Sequence, residues 1–212
     1  MADIALVCGA GGALGTALVE AFQARGDEVI GVDRKGESRN GVRMEHADLT
    51  DPESVDALWD RIGTPRWVVN AAGGYRGGEV ADTDPDTLRF LIDLNFGTAF
   101  WSCRAAARRL ERGGAIVNIS ARAAVAGGTG AGAYAASKAA VVRLTEVLAS
   151  ELAGRGIRAN AVLPLLIDTP ANREALPAER LQNAVPPARV AAVCAFLCSD
   201  AADAVSGAAL PV

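Results

Sequence analysis

The reading of the fold turns on Ile4-Ala5-Leu6-Val7-Cys8 and the run Gly9-Ala10-Gly11-Gly12-Ala13-Leu14-Gly15 that follows it. Five apolar residues bounded by glycine are too short for a helix and read as a buried strand. Small residues then turn the chain. Leu14, Leu18, Val19 and Phe22 recur at helical spacing as far as Gly26, a residue suited to a C-cap. The same alternation repeats outward from this unit. Glu28–Asp33 and Arg43–His46 read as strands. Thr50-Asp51-Pro52-Glu53 starts a helix, with a capping side chain and a proline in the first turn, and Val55, Leu58 and Ile62 carry its apolar face to Gly63. Trp67–Asn70, Ala115–Ser120, Arg158–Leu163 and Ala208–Val212 complete the set of strands. Between them lie helical segments at about Asp86–Arg112, Tyr134–Gly154 and Pro187–Ser199. Strands alternating with helices predict an α/β fold: one domain over residues 1–212, with a mostly parallel, doubly wound sheet of about seven strands and helices on both faces. Ligands of such sheets bind at the carboxyl edge of the strands, and the Ala/Gly-rich stretch Ala121–Ala133 falls there as a loop.

Composition narrows the function. The chain has 212 residues, 50% hydrophobic, with 21 basic against 25 acidic side chains and a net charge of −4. That apolar content excludes a disordered chain, and the charge lacks the basic footprint of a general nucleic-acid binder. No apolar run reaches the eighteen residues of a membrane span, and Met1-Ala2-Asp3 leads into the first strand without a basic leader. Cys8, Cys103, Cys194 and Cys198 form no C-x-x-C pair and read as reduced, buried thiols of a cytoplasmic protein. With His46 the single histidine, no metal site is expected.

The glycine-rich turn carries chemistry. Small residues at Gly9, Gly11, Gly12, Ala13 and Gly15 let the backbone approach a pyrophosphate, and the helix opening at Leu14 supplies oriented N–H groups. The second strand ends in Asp33, eighteen residues after Gly15. An acid there accepts hydrogen bonds from both hydroxyls of an adenosine ribose and repels a 2′-phosphate, which favours NAD. Arg34 beside it would attract that phosphate, so NADP stays open as the cofactor. Tyr134 and Lys138 stand four apart, on one face of a helix. A nearby ammonium is expected to stabilise the phenolate and lower the tyrosine pKa, making Tyr134 a general acid or base.

The spacing G-x-x-x-G-x-G, with Ala13 at the middle glycine, resembles the short-chain dehydrogenase/reductase family, and further segments extend the resemblance over nearly the whole chain. Asp48-Leu49 looks like the family's adenine-contacting pair, and Asn70-Ala71-Ala72-Gly73 resembles its N-N-A-G segment. Tyr134-Ala135-Ala136-Ser137-Lys138 is similar to its Y-x-x-x-K, and Asn160–Pro164 with Asp168-Thr169-Pro170 to the segment that holds the nicotinamide. The resemblance implies a Rossmann fold and hydride transfer to or from a small organic molecule. Tyr134 would be the acid/base and Lys138 a ligand of the nicotinamide ribose. Asn95 would help hold a proton-relay water, and Thr169 would bind the carboxamide near Pro164. It also implies a homodimer or homotetramer built on the two long helices.

Two departures bear on the substrate. The family's serine, thirteen residues before the tyrosine, is Ala121 here, with Ser120 one step earlier. One step along a strand flips the face, so Ser120 is expected to point away from the site. Leu165 replaces the usual glycine after Pro164. Both departures, with Gly73-Gly74-Tyr75-Arg76-Gly77-Gly78 and Leu163–Arg173, resemble the quinonoid dihydropteridine reductase branch. That branch reduces a conjugated imine and lacks the serine; Tyr75 would stack on a flat bicyclic ring. The other readings are an ordinary ketone or alcohol oxidoreductase that recruits Ser120, and a dinucleotide sensor without catalysis. The intact Tyr134/Lys138 pair speaks against the sensor.

Overall fold

In the computed structural model, which describes residues 2–34 and 41–212, seven strands form one parallel sheet. They are β1 Ile4–Cys8, β2 Glu28–Asp33, β3 Arg43–His46, β4 Trp67–Asn70, β5 Ala115–Ile119, β6 Arg158–Leu163 and β7 Ala209–Pro211, in the order β3-β2-β1-β4-β5-β6-β7. The order reverses between β1 and β4, so the loops leaving those two strands diverge and open a crevice at their carboxyl ends.

Helices cover both faces: α1 Ala13–Arg25, α2 Pro52–Arg61, α3 Pro85–Leu91, α4 Thr98–Arg109, α5 Gly132–Leu152, α6 Pro170–Ala175, α7 Ala178–Leu181 and α8 Pro187–Leu197. On one face Val7, Val117 and Val162 pack with Leu18 and Phe22 of α1 and Val190 and Leu197 of α8. On the other, Leu6, Ile30, Val68 and Ile116 meet Leu58 and Trp59 of α2, Ala105 of α4 and Leu148 of α5. Burial on both faces is why the central strands read as continuous apolar runs. Asp51 caps α2 by accepting from the N–H groups of Glu53 and Ser54, with Pro52 in its first turn, and Gly26 ends α1 at φ 93°.

The structure departs from the sequence reading in three places that shape the site. The long helix expected at Asp86–Arg112 is α3, then a π turn at Ile92–Gly97, then α4. The widened turn carries Asn95, whose amide bonds away from its own helix; such bulges often mark functional positions. β5 ends at Ile119, one residue before Ser120, and β7 is shorter than the expected Ala208–Val212. Residues 170–181, to which the sequence reading assigns no element, fold into α6 and α7, with Thr169 capping α6 by accepting from the Asn172 N–H. Among the described residues no helix is long and apolar enough to cross a membrane. All four cysteines are free and buried, and burial pushes their thiols up, Cys8 to about 11 and Cys103 and Cys198 to about 12.

Candidate active site

At the switch point, Gly9, Gly12, Asp33, Arg34, Asp48, Leu49, Ala71, Ala72 and Gly73 line one cleft of about 210 Å³, together with Ala47, Thr50, Leu94 and Thr98. Its floor is made by close backbone approach. A Cβ on Gly9, where φ is +85°, would lie 2.7 Å from the Ala72 nitrogen, and a Cβ on Gly15 would collide with the Gly9 carbonyl. Gly11, Ala13 and Leu14 belong to the same turn, where α1 begins without a side-chain cap and without an acid in its first turn. The first N–H groups of the helix are thereby left for an anion. At the end of β2, Asp33 accepts from the N–H groups of Gly11 (3.0 Å) and Arg34 (2.7 Å). Asp48 accepts from both the N–H and the hydroxyl of Thr50, which holds its carboxyl below the usual carboxylate range. A wider groove of about 830 Å³ lies at the opposite, amino edge of the sheet, against Trp67, Gly114 and Arg158, away from these groups.

Beyond β4 the chain meets α5. The Asn95 amide accepts from the Gly74 N–H (2.9 Å) and donates to the Gly74 carbonyl (3.0 Å) and to the Ser137 hydroxyl (3.1 Å). Ser137 in turn donates to the Tyr134 carbonyl. Gly73 has no room for a side chain: a Cβ there would sit 2.8 Å from Asn95 Oδ1 and 3.0 Å from Lys138 Nζ. Asn95 therefore ties the loop after β4 to the helix that carries Tyr134 and Lys138.

The expected electrostatics of that pair do not hold: the phenol is pushed up, not down. Lys138 Nζ donates to the Ile119 carbonyl at 3.0 Å, not to the phenol. Burial, and then the neighbouring Tyr75, push the Tyr134 phenol up from 10 to about 12. Desolvation of the phenolate sets the direction, while the ammonium is committed to β5. Burial also pulls Lys138 down from 10.5 to about 8. Between these values the unfolded chain binds more protons than the folded one, so Lys138 makes stability rise with pH from about 8 to 10.5. Tyr134 acts oppositely between 10 and about 12, where the folded phenol keeps its proton. Relative to Lys138→Met, the wild type should gain on the order of 3 kcal/mol across the lysine window. Urea midpoints of both proteins against pH check this; a constant difference between them contradicts it.

Two residues read as site groups are turned away from the cleft. Ser120, a catalytic candidate in the ketone or alcohol reading, is buried beneath α5, and its hydroxyl donates to the Lys138 carbonyl at 2.8 Å. It shares the α5 side of the sheet with Asn118, two residues earlier, which donates to Thr145. Strand alternation thus takes Ser120 under the helix, while Ala121 begins the loop. Asn70, read as a cofactor ligand, is also buried; its amide donates to Asn118 Oδ1 (2.8 Å) and Cys103 Sγ (3.4 Å) and joins β4 to β5 and α4. Ser120→Ala should lower stability by about 1 kcal/mol and leave turnover within about twofold. A large loss of turnover would return Ser120 to the reaction.

The family described as enoyl-(acyl carrier protein) reductase matches residues 9–212. D-threitol dehydrogenase of Mycolicibacterium smegmatis is 32% identical over 235 residues, covering 99% of this chain and 90% of that protein. The chain belongs to the short-chain dehydrogenase/reductase family. Among solved structures of this family, ligand-free aldohexose dehydrogenase of Thermoplasma acidophilum superposes with a TM-score of 0.92 at 30% identity, covering 100% of this chain and 92% of its own. A blue fluorescent protein from a metagenomic library, in complex with NADPH, gives 0.89 at 29% identity over 99% of this chain and 96% of its own. Short-chain dehydrogenases/reductases are NAD(P)-dependent oxidoreductases, and that is the activity class of this chain. The glycine cradle and the uncapped α1 suit such a cofactor on physical grounds. Sequence reasoning missed Ala47, Thr50, Leu94 and Thr98 as lining residues. The last two reach the cleft only through the π turn, for which the sequence carries no periodic signal.

Proposed function

We propose that this short-chain dehydrogenase/reductase transfers hydride between NAD(H) and a quinonoid dihydropteridine or a similarly flat, conjugated acceptor, with Tyr134 exchanging the proton. The observation that carries the acceptor class is the engagement of the Ser120 hydroxyl with the Lys138 carbonyl, with Ala121 at the family's serine position. An acceptor activated by its own conjugation needs a serine donor less than an isolated ketone does. The cofactor supplies the hydride; the chain supplies position and the proton. Gly9, Gly12 and Gly15 with the start of α1 suit the pyrophosphate, Asp33 the ribose hydroxyls, and Asp48 with Leu49 the adenine. Arg34 keeps NADP as the second choice. Pro164 and Thr169 would take the carboxamide, and Lys138, released from Ile119, the nicotinamide ribose. With its phenol near 12, Tyr134 is protonated at neutral pH and ready to act as a donor in the direction of reduction. Leu165, 63% exposed, lies on the segment after β6 that leads toward Thr169.

A second reading, a secondary-alcohol or sugar dehydrogenase, is favoured by the names of the D-threitol and aldohexose enzymes it resembles. NADH and NADPH oxidation by the purified protein separates the two, with quinonoid dihydropterin tested beside ketones, aldehydes and quinones. Pterin turnover above the spontaneous rate with NADH is expected. Turnover confined to carbonyl compounds would overturn the acceptor class, and an inert Tyr134 in either direction would overturn the site.

A further inference from the structure

We propose that Tyr75 is a second catalytic phenol, whose hydroxyl donates a hydrogen bond to the substrate oxygen on which negative charge develops as hydride arrives. This deepens the reading that Tyr134 exchanges the proton and rests on it. In a ketone that oxygen is the reacting carbonyl; in a dihydropterin it is the ring carbonyl conjugated with the imine. Tyr134 gives up the proton that the substrate gains, and Tyr75 keeps its own.

Three observations place Tyr75 for this role. Its ring stands edge-on to Tyr134, with centroids 5.0 Å apart and planes at 76°. It is 63% exposed, whereas the Tyr134 phenol is desolvated, so Tyr75 forms the open side of the pair. It is also clamped from both directions. Gly74, one residue before it, is held at its N–H and its carbonyl by Asn95. Gly78, three residues after it, donates to the Gly130 carbonyl (2.9 Å) and bridges Ala131, immediately before α5. Gly77 leaves space for the phenol itself: a Cβ there would lie 2.7 Å from the Tyr75 oxygen. An exposed aromatic on a loop ordinarily swings free, yet the backbone on either side of this one is tied down and its ring meets the proton donor edge-on. A prepositioned donor is the arrangement that stabilises developing charge. For a conjugated acceptor one such donor suffices in place of the family's serine: Ala121 carries no hydroxyl and that of Ser120 is used elsewhere.

The test compares wild type, Tyr75→Phe, Tyr75→Phe/Ala121→Ser and Tyr134→Phe, using whichever acceptor turns over and measuring NADH affinity by fluorescence. Tyr75→Phe keeps the ring and removes only the hydroxyl. It should lower kcat about 10²-fold with KM and NADH affinity within about twofold, and the hydroxyl that Ala121→Ser adds should restore at least about tenfold. Unchanged kcat, or a loss confined to KM, would make Tyr75 a wall of the site and overturn the proposal, as would a fall in kcat that Ala121→Ser cannot restore. If Tyr134→Phe keeps full turnover, the reading of the whole site falls instead.

Discussion

Tyr134→Phe is expected to lower hydride transfer about 10²–10⁴-fold while NADH binding and the fold persist. The substitution removes one oxygen and leaves the ring that packs edge-on against Tyr75. α5 is held by other means: Ser137 bonds to Asn95 and to the Tyr134 carbonyl, Asn118 to Thr145, and Ser120 to the Lys138 carbonyl. None of these uses the phenol. What is lost is the group that holds a proton at neutral pH, and burial pushes that phenol further above its ordinary value. The same burial predicts an asymmetry. Reduction begins from the protonated phenol present at neutral pH, whereas oxidation needs the phenolate and should rise steeply with pH. Stopped-flow rates in both directions check this; a Phe variant with wild-type reduction rates would remove Tyr134 from the reaction.

Gly9→Ala should cost stability and cofactor together. The residue sits at φ +85°, where an L side chain is strained by roughly 1–2 kcal/mol. Its Cβ would also stand 2.7 Å from the Ala72 nitrogen and 2.9 Å from the Ala71 carbonyl carbon, both backbone atoms that cannot rotate away. Relief requires β1 and β4 to part at the switch point, which widens the cleft that the two strands define. A loss of about 3 kcal/mol is expected from strain and clash combined, with NADH affinity reduced at least about tenfold. Gly12→Ala is the control. A Cβ there meets only the Gly9 carbonyl, at 3.6 Å, so the fold should be unaffected while the approach of a phosphate to α1 is narrowed. Chemical denaturation and NADH titration of the two variants check the pair; equal stabilities would contradict the account of Gly9.

The sheet, its switch point and the glycine turn are legible from local sequence. A strand buried on both faces is a short continuous apolar run and a helix repeats every 3.6 residues, and both are local properties. Ile4–Cys8, Glu28–Asp33 and Trp67–Asn70 therefore stood out, as did the spacing that puts Tyr134 and Lys138 on one face of α5. The glycine turn and Asp33 were legible for the same reason, since the chemistry of a βα turn is contained in a few consecutive residues. Even the face of Ser120 followed from alternation along β5.

Tertiary structure alone decided where the polar side chains spend their hydrogen bonds. Lys138 turns to Ile119, nineteen residues away in sequence; Asn95 holds Gly74, twenty-one away, and Ser137, forty-two away; Asn70 reaches Asn118 across forty-eight. No periodicity encodes such pairs. A buried amide or ammonium takes whichever partner packing brings within reach, because leaving it unsatisfied costs more than any local preference supplies. That is why the π turn at Asn95, the raised phenol of Tyr134 and the clamped ring of Tyr75 emerge only once the chain is folded.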